Sequence, residues 1–268
     1  MRTKAETRVD ASPPLGIQLQ QLLPGWIGLC LIAALAWAAT IEWAGTMNVG
    51  PGTMGMSLAT FLPIWVVMMT AMMFPSVAPM AIVWIRSVAS RPSSRDRVFG
   101  LASFLAGYLC AWAAFGAAVY VVLLGADRLA NDAPGSVRWV GAVIFATAGV
   151  YQLSPLKGAC LRHCRTPLGS LFHYASYRGQ LRDLRVGIHH GLYCVGCCWG
   201  LMILLVAVGA MNIPVMVALA GVILLEKVWR HGTAFSRVVG VSLLVIAALV
   251  LFFPSLLPGL TATPMSSM

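Results

Sequence analysis

Five of the seven cysteines in the chain fall in two short groups, Cys160-Leu-Arg-His-Cys164 and Cys194-Val-Gly-Cys197-Cys198. Thiolates are preferred ligands of Cu(I) and Zn(II), so a compact set of them predicts a soft-metal site. Thiol–disulfide chemistry and simple packing are the alternatives, since free cysteine is also a small apolar residue. The isolated Cys30 and Cys110 fit the packing alternative.

A helical segment would place the second group of thiols on one face. Each residue of an α-helix advances about 100° around the axis, so His190, Cys194, Cys197 and Cys198 would share a stripe about 100° wide. His190 is then either a metal ligand or a hydrogen-bonded polar group inside a bundle. His163, His173 and His189 are near enough in sequence to contribute further imidazole ligands.

A second set of soft atoms lies earlier in the chain, where four methionines fall on one helical face: Met68, Met69, Met72 and Met73. Pro75 and Pro79 should kink the helix below them and free backbone carbonyls. A thioether binds Cu(I) without deprotonation, although methionine is also an adaptable core filler. Met47, Met54 and Met56 lie just before this face. Together with the face and the thiols they suggest a path of soft ligands with descending affinity, from an outer methionine loop through the methionine face to the inner thiols.

The elements that position these residues follow from composition. The chain has 268 residues, of which 59% are hydrophobic and 10% charged, whereas soluble domains carry about 25% charged residues. This predicts an all-α, polytopic transmembrane bundle. The seven apolar segments are Leu22–Glu42, Leu58–Trp84, Val98–Gly125, Trp139–Leu156, Gly187–Gly209, Ile213–Glu226 and Val238–Phe253.

The basic residues predict the orientation. Sixteen of the 18 lysines and arginines lie in the N-terminus and in the 86–97, 157–186 and 227–237 loops, which alternate along the chain. The positive-inside rule then places the N-terminus in the cytoplasm and the C-terminus outside, in the inner (cytoplasmic) membrane of the cell. The net charge of +10 indicates contact with anionic lipid and not binding of nucleic acid.

We expect a single transmembrane domain over residues 22–257, preceded by a disordered or interfacial leader (1–21) and followed by a short outer tail (258–268). The substantial loop is the cytoplasmic stretch 157–186. Its Tyr174 and Tyr177, set among arginines, suit a short amphipathic helix on the membrane surface.

Charges and small residues within the predicted spans also carry information. Glu226 and Lys227 lie near the inner end of the sixth span, where Glu226 could pair with Arg230 four residues later. A role in proton coupling is the alternative. The small-residue pairs Gly187-x-x-x-Gly191 and Gly196-x-x-x-Gly200 would allow close helix approach, which predicts a buried fifth span.

Several motifs resemble an uncharacterised family of bacterial integral membrane proteins, with a domain of unknown function, described as predicted metal-binding. The resemblance rests on Met68-Met-Thr-Ala-Met-Met-Phe-Pro75, on Tyr151-Gln-Leu-Ser-Pro-Leu-Lys157 with the following Cys160 and Cys164, and on His190-Gly-x-x-Cys194-x-Gly-Cys197-Cys198-Trp199. It covers roughly residues 20–255. It implies metal binding in a membrane and names no substrate, reaction or catalytic residue.

The sequence therefore predicts a membrane protein that binds a transition metal, with Cu(I) favoured over Zn(II), and transports it or delivers it. Such a protein would contact lipid and a metal-donor or metal-acceptor protein, and it could form oligomers. A membrane thiol–disulfide electron carrier and a non-catalytic subunit that scaffolds a partner are the alternatives. A non-enzymatic role is favoured, because neither a Ser/His/Asp set nor paired carboxylates are evident.

Overall fold

The computed structural model describes residues 15–46, 53, 55–89, 91, 93–166, 174, 176–179, 181–253, 257 and 260. Every regular element within them is a helix. The elements are α1 (Leu15–Thr46), α2 (Leu58–Ala89), α3 (Ser94–Asp132), a 3₁₀ turn (Pro134–Ser136), α4 (Val137–Leu153), α5 (Pro155–Arg165), α6 (Arg182–Met202), α7 (Leu204–Val208), α8 (Ile213–Val228) and α9 (Gly232–Phe252).

Some predictions concern residues outside this set. Met47, Met54, His173, the first 14 residues and most of the predicted tail lie outside the described residues. The predicted leader 1–21 overlaps α1, which begins at Leu15.

Each of the seven apolar segments lies on helical structure, and the fourth and fifth each extend over two helices, α4–α5 and α6–α7. Five helical stretches are long and apolar enough to cross a membrane, namely α1, α2, α3, the continuous Arg182–Val208 stretch and α9, and the bent pair α4–α5 would make six. Helix α8 has 16 residues, which span about 24 Å of a hydrocarbon core about 30 Å thick. A membrane bundle is consistent with these lengths, while the number seven and the orientation stay predictions.

The fourth segment ends earlier than predicted. Helix α4 stops at Leu153, and α5 leaves at an angle of 63°. The cause is Pro155, which has no N–H to donate and whose ring would clash with the helix carbonyl four residues before it. Ser154 is extended there and its Oγ accepts a hydrogen bond from the Lys157 amide, which starts α5. The predicted loop therefore begins as a helix that carries Cys160 and Cys164.

Helices α2 and α6, which bear the methionine and cysteine faces, are the interior helices. In their most apolar stretches 72% and 61% of residues are buried, compared with 22% in α1 and 28% in α9. Helix α3 packs chiefly on α6, α1 on α2, and α4 on α9. The outer helices expose large apolar side chains such as Leu35 and Val98, which suits contact with lipid.

The predicted close approach on α6 is present and its partner is α3. A Cβ atom at Gly187 would overlap the Phe104 carbonyl oxygen, and one at Gly107 would overlap the Leu184 carbonyl oxygen. A Cβ at Gly191 would lie 2.8 Å from that of Ala111. The two backbones therefore touch directly, which only glycine allows at these positions.

We predict that Gly187→Ala destabilises the protein by about 1–3 kcal/mol, because the added methyl forces α3 and α6 apart. Gly125→Ala is the matched control, since nothing lies within 4 Å of a Cβ at Gly125 on α3. The control should be neutral or slightly stabilising through better helix propensity. Thermal unfolding of detergent-purified protein, followed by circular dichroism, measures both. Equal midpoints for the two variants would contradict the packing argument.

Candidate metal centre

Three thiols lie together on the buried face of α6. The sulfur atoms of Cys194, Cys197 and Cys198 are all within 4.8 Å of one another, with 3.6 Å between Cys197 and Cys198 and 4.0 Å between Cys194 and Cys198. All three side chains are buried, and so is His190 one turn earlier. The helical repeat explains this shared face, because positions three and four residues apart lie one above the other.

Helix α5 brings a fourth thiol to the group. Cys164 Sγ lies 3.8 Å from Cys197 Sγ, so sulfur atoms from two helices meet. Cys160, one turn before it, lies against α6 at Gly196, where a Cβ atom would be 3.0 Å from its Sγ. Both α5 cysteines are half-buried. Cys160 is therefore next to the thiol group, whereas Cys164 contacts it.

Both ends of α5 are attached to the last turn of α8 and the two residues that follow it. At the start of α5, Lys157 Nζ is 2.7 Å from Glu226 Oε2, with both side chains buried. At its end, the Arg165 guanidinium donates to the carbonyl oxygens of Glu226, Trp229 and Arg230. The final carbonyls of a helix lack intrahelical partners and carry partial negative charge, so a guanidinium is well placed there.

The predicted pair between Glu226 and Arg230 does not form. Helix α8 ends at Val228, so the two residues are not on successive turns of one helix, as an i,i+4 pair requires. Instead, one carboxylate oxygen of Glu226 accepts a hydrogen bond from Lys157 Nζ, and the other accepts one from Gln152 Nε2 at 2.6 Å. The ion pair is thus a contact between α8 and the α4–α5 bend.

Lys227 points away from that pair and into the thiol group. Its Nζ lies 3.1 Å from Cys194 Sγ and 3.1 Å from Ser76 Oγ. Within the described residues Lys227 forms no salt bridge with a carboxylate. Its ammonium places a positive charge beside the thiols, where it would offset part of the negative charge of thiolate ligands.

One further helix reaches Cys194 directly, and another reaches it through Lys227. The Tyr108 hydroxyl of α3 is 3.0 Å from Cys194 Sγ. On the α2 side, Ser76 accepts from Lys227 and donates to the Met73 carbonyl oxygen at 2.9 Å. These polar contacts join the backbone of α2, the helix that bears the methionine face, to the thiol group of α6 through Lys227.

The methionine face is entirely internal. Met68, Met69, Met72 and Met73 are all buried in the core of the bundle. Other buried methionines come from the second half of the chain, namely Met202, Met211 and Met216. Met56, from the loop before α2, is partly buried. The interior is thus richer in thioethers than the α2 motif alone indicated.

The imidazoles lie beside the thiols. His190 is buried, and its Nδ1 has no hydrogen-bond partner among the described residues. The Tyr174 hydroxyl is 3.0 Å from His163 Nε2 and 3.3 Å from His189 Nδ1. Tyr174 is fully buried, so the expectation that this ring lies on the membrane surface is wrong. Burial raises the pKa of its hydroxyl, which stays protonated and links the two rings.

Sequence reasoning assigned no role at the site to four residues of this region: Ser76, Tyr108, Gln152 and Lys157, although the last two lie in a motif that carries the family resemblance. Three of them are polar residues inside predicted apolar spans, and the fourth directly follows one. A polar side chain at membrane depth usually has a specific partner, and this signal could have identified them. Their partners depend on tertiary packing, so the sequence could not have named those.

The fold and the site together define an all-helical bundle with a buried thiol group, chemically suited to a soft transition metal. Comparison with protein families agrees: the PpoB2 family model, described as a copper chaperone, matches residues 62–250. The chain belongs to this copper chaperone family. The same comparison with curated proteins and with solved structures finds no match to this chain.

We predict that Glu226→Gln costs about 3–5 kcal/mol of stability, because it leaves the Lys157 ammonium buried without its counter-charge. The double variant Lys157→Met/Glu226→Gln should recover most of that loss. Asp183→Asn, which breaks the more exposed pair with Arg91, is the matched control and should cost less. Denaturant unfolding of the purified protein measures all three. A double variant as unstable as Glu226→Gln would show that the buried pair is not the cause.

Proposed function

We propose that this protein binds Cu(I) through the thiols of Cys194, Cys197, Cys198 and Cys164, and transports or delivers the ion across a membrane. The observation that carries the proposal is the meeting of three buried thiols from α6 with a fourth from α5. Membership of a copper chaperone family supports copper as the cargo. Cys160 and His190 would act as additional ligands beside this group.

The donor set fits Cu(I) better than Zn(II). Thiolate and thioether are soft ligands, and a methionine face has no value for Zn(II), which prefers thiolate, imidazole and carboxylate. Within the described residues, no carboxylate lies in the thiol group. Zn(II) could occupy the four thiols alone, and it is the second metal to be tested.

The methionine face would carry the ion through the interior. Met68, Met69, Met72 and Met73 are neutral donors, so an ion can pass along them without a buried counter-charge. Ser76, three residues after Met73 on the same helix, contacts Lys227, which in turn contacts Cys194, so polar contacts link α2 to the thiol group. Glu226 would then hold α5 in place through Lys157, and Lys227 would balance part of the negative charge of the thiolates.

The membrane setting belongs to the same proposal. We infer seven spans in the inner (cytoplasmic) membrane, with the basic loops and the α5 cysteines on the cytoplasmic side, from the distribution of lysine and arginine. A metal-donor or metal-acceptor protein would then reach the thiols from the cytoplasm. The exposed apolar faces of the outer helices would contact lipid or a second copy of the chain.

Metal analysis of reduced, detergent-purified protein tests the site. Wild type should hold one tightly bound copper ion per chain, and Cys194→Ser/Cys197→Ser/Cys198→Ser should lose this tight binding, because a hydroxyl is a poor ligand for a soft ion. Cys30→Ser/Cys110→Ser is the matched control, since both cysteines are isolated on exposed positions. It should bind copper like wild type.

Two outcomes would contradict this. Tightly bound copper retained by the triple variant would move the site elsewhere in the chain. Metal-free wild type with a redox-titrating pair, such as Cys164 and Cys197 at 3.8 Å, would favour the electron carrier instead.

A second test addresses the methionine face. Met68→Leu/Met69→Leu/Met72→Leu/Met73→Leu conserves volume approximately but removes the thioethers. We expect unchanged copper stoichiometry and about tenfold slower copper passage into vesicles that contain the purified protein, a change of ~1.4 kcal/mol in the barrier. Met216→Leu on α8 is the control for packing. Equal slowing in the control, or unchanged passage in the quadruple variant, would refute the role of this face.

A further inference from the structure

Three imidazoles lie beside the thiol group, those of His163, His189 and His190. The copper site proposed above includes only His190, as an additional ligand. The rings of His163 and His189 are 6.0 Å apart, and those of His163 and His190 are 6.2 Å apart, between ring centres. Tyr193 holds the group together, since it stacks on His163 at 3.8 Å and contacts His189 at 5.1 Å.

The group continues the thiol site toward the surface. His163 directly precedes Cys164, whose sulfur contacts Cys197, and His190 lies one turn before Cys194 on α6. His163, His189 and Cys164 are half-buried, whereas His190 and the three α6 thiols are buried. His163, His189 and Cys164 therefore form the more exposed side of the combined group, and His190 with the three α6 thiols forms its buried side.

Affinity for Cu(I) should also increase from the imidazole group to the thiol group. Imidazole is a neutral ligand of intermediate softness that binds copper, whereas thiolates bind Cu(I) more strongly. The buried His190 Nδ1 without a hydrogen-bond partner among the described residues costs free energy that an occasional metal contact would offset. Within the described residues the three rings do not form one compact three-ligand group, so one or two imidazoles at a time would hold the ion, and more weakly than the thiols do.

We propose that His163, His189 and His190 form a second, weaker Cu(I) site, through which the ion passes between the cytoplasmic surface and the thiols. This inference rests on the proposed function. The ion would exchange ligands stepwise, gaining a thiol for each imidazole that it leaves, with no change of oxidation state. A soluble donor or acceptor would then need to reach only the half-buried imidazoles.

The release of Cu(I) from the loaded, full-length protein in detergent tests this directly. The ion is extracted with excess bathocuproine disulfonate, a water-soluble Cu(I) chelator, and the coloured complex is followed with time. In His163→Gln/His189→Gln we expect the thiol-bound equivalent to keep its affinity but to leave about tenfold more slowly. A second, weaker equivalent, with nitrogen neighbours in X-ray absorption, should be present in wild type and absent from this variant.

Three controls separate ligation from structure. His231→Gln changes an exposed histidine elsewhere and should behave like wild type. Tyr174→Phe removes the hydroxyl that touches both rings but keeps the imidazoles, and should also release copper at the wild-type rate. His163→Gln/His189→Cys returns one soft ligand to the double variant and should restore fast release, so it separates loss of a ligand from a general effect of changing both histidines.

The possible failures are distinguishable. Wild type without copper would overturn the proposed function as well as this inference. Copper bound at the thiols, with unchanged release and an intact second equivalent in His163→Gln/His189→Gln, would overturn this inference alone. Slow release in Tyr174→Phe or in His163→Gln/His189→Cys would also overturn it, because hydrogen-bonded packing would then control access.

Discussion

The attachment of α5 to the end of α8 is the contact on which the thiol site depends. Helix α5 follows a sharp bend, so the preceding helix cannot hold its direction. The buried pair of Lys157 with Glu226 fixes one end, and Arg165 on the α8 carbonyls fixes the other. With both ends held, Cys164 is kept against Cys197. This attachment and the direct packing of α5 on α6 together bring two cysteine motifs 30 residues apart into one site.

Each buried charged residue near the site has its own polar partner. Two neighbouring residues of α8 point in different directions, so Glu226 neutralises Lys157 while Lys227 reaches Cys194. An apolar interior stabilises isolated charges poorly, and each of these groups has polar contacts. The thiol group therefore lies next to one buried ammonium, and no carboxylate competes for that ammonium among the described residues. Such surroundings favour anionic sulfur ligands over a purely neutral donor set.

Features that repeat along a single helix could be predicted from the sequence. The common face of His190 and the three α6 cysteines, and that of the four methionines, follow from the helical repeat alone. The glycines of α6 correctly indicated a buried helix, although not that α3 would be its partner. The partners of Glu226 and Lys227 could not be predicted. They depend on where α8 ends and on the bend at Pro155, which only the packed bundle determines.

The two isolated cysteines, Cys30 and Cys110, affect any count of this protein's thiols by chemical labelling. Cys30 and Cys110 are exposed on the outer helices, whereas the three α6 sulfur atoms are enclosed by α2, α3, α5 and α8. An alkylating reagent applied to the native bundle would modify the two outer positions first. Mass shifts from a single labelling experiment would then describe only the periphery, so labelling before and after denaturation is needed to count the enclosed group.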